Sequence, residues 1–121
     1  TLAAVLAAGA LLIGGIGSVD AANWYTVGTD SNGITWSIDN DSVKKDDKKA
    51  VLDIKAMDYE GYHYIVTEEF NHKKREVKDV KVTLYNPKGE VVKQEQPNKS
   101  TRKVEQGTPA YAVYTLIWGD K

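Results

Sequence analysis

The chain carries few groups suited to catalysis, and their spacing argues against it. Its two histidines, His63 and His72, stand nine residues apart, one inside an alternating segment and the other in a polar stretch. A hydrolytic triad needs a nucleophile, a base and an orienting acid that converge in space. Serines and aspartates are plentiful, but no Gly-x-Ser-x-Gly turn presents one as a nucleophile. Glu68 and Glu69 are neighbours within a strand-like run, so their side chains point to opposite faces and cannot flank one substrate atom. Asp58 and Glu60 read as solubilising charge beside a turn. Asp39-Asn40-Asp41-Ser42 opens like a calcium loop, yet its sixth and twelfth positions are Lys44 and Ala50 instead of Gly and Glu. Lys44, Lys45, Lys48 and Lys49 crowd the same loop with positive charge. With no cysteine there is no thiol nucleophile, thiolate metal site or disulfide. The expectation is a protein that is not an enzyme and uses no metal or cofactor.

Binding chemistry is better represented. Lys73, Lys74, Arg75 and Lys78 place four cations within six positions. Dense positive charge of this kind displaces counterions from a polyanion, and an Arg fork suits sulfate or carboxylate. These four residues are the candidate ligand-binding set, with an extracellular matrix protein or polyanionic glycan as the candidate partner. Tyr59, Tyr62 and Tyr64 offer either a recognition strip or core flanks. The chain as a whole is nearly balanced, 16 basic against 17 acidic side chains, which argues against a general nucleic-acid or anionic-membrane binder.

The elements that must position these groups begin after an apolar leader. Residues 1–16 are uncharged and rich in Ala, Leu, Ile and Gly, and small residues follow to Ala22. This suits a secretory signal over residues 1–22, incomplete at its start, cut after Ala21 or Ala22. The run is too short and Gly-rich for a comfortable span, so any membrane contact is expected only through an uncleaved leader. Export to the periplasm, cell surface or medium follows, and the lack of disulfides suggests a bacterial source. Removing the leader with Asp20 leaves 16 charges of each sign.

Residues 23–121 read as one domain. Trp24 to Asp30 and Ile34 to Asp39 form strands around a Ser31-Asn32-Gly33 turn. Asn40 to Lys49 is a charged connection. Ala50 to Tyr59 and Tyr62 to Phe70 alternate around Glu60-Gly61, and Asn71 to Glu76 is a basic loop. Val80, Val82 and Leu84 mark a further strand, closed by Asn86-Pro87-Lys88-Gly89 and followed by Glu90 to Gln94. At the C-terminus, Thr108, Pro109 and Gly119 are helix punctuation, while Tyr, Val, Thr, Ile and Trp between them favour a strand. The punctuation favours a short helix on the sheet. The expected class is α+β, mainly an antiparallel sheet of about six strands with a short C-terminal helix. Trp24, Trp36, Ile38, Leu52, Ile54, Val82 and Leu84 are the expected core.

Trp24 to Asp30, Gly33, Trp36 to Asp39 and Ser42-Val43 together resemble the opening of surface-adhesin protein E-like domains. Glu69-Phe70-Asn71, the run Leu84 to Val92 and Gly107-Thr108-Pro109 extend the likeness along nearly the whole mature chain. His72 stands where many members of that family carry a cysteine, so a stapling disulfide is absent. The resemblance implies an antiparallel sheet with a C-terminal helix and a non-enzymatic binding role, in the best-known members toward host matrix proteins. The alternative is a periplasmic, envelope-associated structural domain without a host ligand. Neither oligomeric state nor strand order is specified by the sequence.

Overall fold

The computed structural model describes residues 22–119. The leader expected over residues 1–22 therefore lies almost wholly outside the described residues. Three turns with one design set the sheet. Asp30, Asp58 and Asn86 each open a turn that closes three residues later at Gly33, Gly61 and Gly89. In each, the side-chain Oδ1 accepts two backbone N–H groups of the turn, two and four residues on. Each glycine has φ between 81 and 96°, a region that disfavours a Cβ. Alternating segments on either side then pair back antiparallel.

The strands are β1 (Trp24–Thr29), β2 (Thr35–Asp39), β3 (Lys44–Lys45), β4 (Lys49–Met57), β5 (His63–Asn71), β6 (Glu76–Tyr85), β7 (Val91–Glu95) and β8 (Arg102–Lys103). All pairs are antiparallel, in the order β1-β2-β4-β5-β6-β7. β3 pairs with the first residues of β4, and β8 with the first residues of β6. The expected six strands are thus the main path. The two-residue strands and a 3-10 turn at Asn40–Ser42 are additions, too short to leave a periodic signature.

The C-terminal segment is a helix, α1 (Pro109–Trp118). Its punctuation prevails over residue propensity. Thr108 Oγ1 accepts the Tyr111 N–H, Pro109 opens the first turn, and Gly119 closes the last at φ 86°. Val113, Tyr114 and Ile117 are buried in one cluster with Ile38, Ala50, Leu52, Ile54, Phe70, Val77 and Val104. The fold is α+β with a mainly antiparallel sheet, as the sequence indicates.

The core differs in detail from expectation. Ile38, Leu52 and Ile54 are buried, but Trp24, Trp36, Val82 and Leu84 are only half-buried. Register explains Trp24: it pairs with Asp39 while Tyr25 pairs with Ile38, so Trp24 faces away from the core and lies under Lys55 Nζ at 4.5 Å. Trp36 packs at the core's edge and donates its Nε1–H to Asp30. Val82 and Leu84 occupy the end of β6 remote from Val77, which lies within the helix-packed cluster. Phe70 and Tyr114, absent from the expected core, are its largest fully buried side chains.

Candidate functional site

The basic turn forms where β5 passes into β6. Asn71 Oδ1 accepts the Lys74 N–H at 2.9 Å, and Arg75 adopts φ 52° to complete the reversal. The strap leading to the helix holds this turn from the side. Val104 N–H donates to the Arg75 carbonyl at 2.8 Å, and Lys103 Nζ to the Lys74 carbonyl at 3.2 Å. Lys73, Lys74 and Arg75 are exposed.

The structure does not bring the four expected ligand-binding residues into one cluster. Lys73 and Lys74 have no ion-pair partner among the described residues. The Arg75 guanidinium sits 5.6 Å from the Tyr114 ring. Lys78 lies within β6 and reaches Glu69 at 3.7 Å on the face away from the helix. A strand alternates its side chains, so position 78 leaves the surface that the turn presents.

The fold brings other cations instead. β4 starts opposite the end of β5, with Lys49 paired to Asn71, and the Lys48 carbonyl accepts the His72 N–H at 2.9 Å. The turn before β4 therefore abuts the basic turn. Lys44 and Lys48 are exposed and also without an ion-pair partner among the described residues. Lys49 is 3.9 Å from Glu69, and Lys103 is 3.5 Å from Glu76. Asp46 turns into its own loop, where Oδ1 accepts the Lys48 and Lys49 N–H groups. Those bonds, with the nearby lysine charges, hold its carboxyl below the ordinary value.

An aromatic cluster locks the two turns to the helix. His72 stacks on Trp118, and Tyr114 meets both rings edge-on. Tyr114 Oη donates to the His72 carbonyl at 2.7 Å, and Trp118 Nε1–H to the Asp46 carbonyl at 3.0 Å. His72 Nδ1 lies 2.8 Å from the Asp47 carbonyl. A carbonyl only accepts, so Nδ1 carries the proton. The charged segment Asn40 to Lys49 was visible in the sequence, but its meeting with the Lys73 turn depends on strand register.

The acid and base candidates of the sequence lie apart. His63 is buried, stacked on Tyr85 and bonded through Nδ1 to the Gly61 carbonyl. Glu68 and Glu69 point to opposite faces, as strand geometry requires. Glu68 lies with Asp79 and Arg102 on the helix side, while Glu69 meets Lys49 and Lys78 on the other. Burial first, then the hydrogen bond and charge of Asp79, push the Glu68 carboxyl up to about 9. Asp79 resists burial and stays below its ordinary value through Glu68 and Arg102, whose Nη2 lies 2.8 Å away. No metal-ligating cluster is present among the described residues. The tyrosines are more exposed than a core role needs: Tyr59 is 89% accessible and lies in a turn, and Tyr64 Oη donates to Glu95.

No family model, curated protein or solved structure matches this chain.

Proposed function

We propose that this is an exported, non-enzymatic, adhesin-like binding module that takes polyanions at its basic end. The ligand class is a sulfated glycan or an acidic segment of a host matrix protein. The observation that carries the reading is the meeting of two basic turns. Lys48 from one, and Lys73 and Lys74 from the other, are exposed, without ion pairs among the described residues, and held together through His72, while exposed Lys44 lies on β3, which leads into the first turn. Cations already fixed on one rigid end lose little freedom when a multivalent anion arrives, and each contact releases counterions. The leader-like residues 1–22 and the resemblance to surface-adhesin protein E-like domains support export and a binding role.

Salt elution from immobilised heparin tests the proposal. The pairs Lys73→Glu/Lys74→Glu and Lys44→Glu/Lys48→Glu should each elute at lower salt than the parent, and the quadruple variant earlier still. Unchanged elution of both pairs would remove this end as the site. An effect confined to Lys73 and Lys74 would leave a one-turn site and sink the two-turn surface.

A further inference from the structure

A groove of about 350 Å³ opens between the first strands and the end of the helix. Ile38, Val43, Leu116 and Ile117 supply aliphatic walls, and the Tyr25 ring flanks them. Leu116 and Tyr25 are each about half exposed, 50% and 49%, which is unusual for large side chains lining one concavity. Two polar residues line it, Asn40 and Lys45, and no acid does so among the described residues. Lys45 pairs with Ala50 in the sheet and so projects to the helix side, where its Nζ donates to the Ile117 carbonyl at 2.6 Å. An ammonium has three protons, so two remain for a ligand.

We infer that this groove binds a single-chain anionic amphiphile, with the alkyl chain between Val43, Leu116 and Ile117 and the anionic head at Lys45. Charge complementarity decides the head: among the described residues the lining holds one cation and no acid. Size decides the tail, because 350 Å³ lies at the small end of the roughly 300–1,000 Å³ typical of ligand pockets and suits one chain. A peptide would need main-chain partners along its length, whereas these walls are mostly aliphatic. An alkyl chain needs no such partners, and burying it releases apolar surface from water. The Ile117 carbonyl at the helix end holds the ammonium in place before the ligand arrives. This site stands apart from the polyanion surface, since its cation is Lys45 and not Lys73 or Lys74.

Sodium decanoate below its micelle concentration is the probe, followed by amide and methyl NMR, with decanol and sodium acetate for comparison. Decanoate should shift Val43, Leu116 and Ile117 saturably. Leu116→Asp, at an exposed position, should weaken binding about tenfold or more. Lys45→Met should lower decanoate affinity about tenfold and leave decanol unchanged. Dispersed spectra confirm that both variants fold. Lys73→Glu/Lys74→Glu should bind decanoate like the parent, which separates this test from the heparin test. Equal binding of decanoate and decanol by the parent, or equal shifts from acetate, would overturn the inference. So would indifference to Leu116→Asp, or sedimentation with phosphatidylglycerol vesicles without any response to decanoate.

Discussion

The imidazole of His72 lies parallel to the indole of Trp118, with ring centroids 4.3 Å apart and 1° between their planes. The stack joins the basic turn to the helix, and each ring also caps a carbonyl of the neighbouring turn through Asp47 or Asp46. His72→Ala loses a stacked pair and a hydrogen bond, together about 2 kcal/mol. It should also lower heparin retention without removing a lysine, because the two basic turns lose their common anchor. Urea unfolding and salt elution check the two halves. Full retention in a destabilised variant would show that the turns hold their positions without the stack.

Much of this was legible in the residues. Ser31-Asn32-Gly33, Glu60-Gly61 and Asn86 to Gly89 announce three hairpins, although the part of Asp30 and Asp58 in them does not show, and Thr108-Pro109 announces the helix. These are local signals, complete within a few residues. The core was partly legible, since Leu52 and Ile54 alternate, but alternation alone does not say which half of a face the helix covers. Phe70 lies under the helix and Leu84 beyond it, although both sit on the same face. The site was least legible. Lys73 and Lys74 stand out in sequence, yet Lys48 joins them only through the pairing of Lys49 with Asn71.

Phe70 and Trp36 should therefore rank opposite to their size. Phe70 is fully buried, so Phe70→Ala should cost about 3–5 kcal/mol. Trp36 is half-buried, and Trp36→Ala should cost less, about 2 kcal/mol. Chemical denaturation of both variants gives the order. A larger loss at Trp36 would mean that the core is centred on the first hairpin.

Gly61 couples two turns. Its φ is 96°, and a Cβ built there would lie 3.1 Å from Pro87 Cβ. Gly61→Ala should cost about 1–3 kcal/mol, from the left-handed backbone and the contact together. In a Pro87→Gly background, which lacks that Cβ, the cost of Gly61→Ala should fall to the backbone share alone. Full recovery would show that the backbone tolerates a side chain at this φ.

Glu68 should make stability fall as pH rises. Its carboxyl stays protonated in the fold up to about 9, whereas an unfolded chain releases that proton near the ordinary value of 4.5. Between those values the folded state binds the extra proton, so each step up in pH favours unfolding. The Glu68 contribution is fully present below 4.5 and is lost as pH climbs toward about 9. Asp79 works the other way: its lowered value contributes stability above the ordinary 3.8 and loses it on acidification. The pair's combined contribution is therefore greatest at about pH 4, between the ordinary values of 3.8 and 4.5, and declines above it. Glu68→Gln keeps the shape and removes the titration, so the urea midpoint should stop falling between about pH 5 and 8. The same downward slope in parent and variant would assign the pH dependence to other groups and leave Glu68 ionised within the fold. A flat variant and a sloping parent would establish that Glu68 holds its proton beside Asp79 and Arg102, the arrangement that ties the strap at β8 to the sheet.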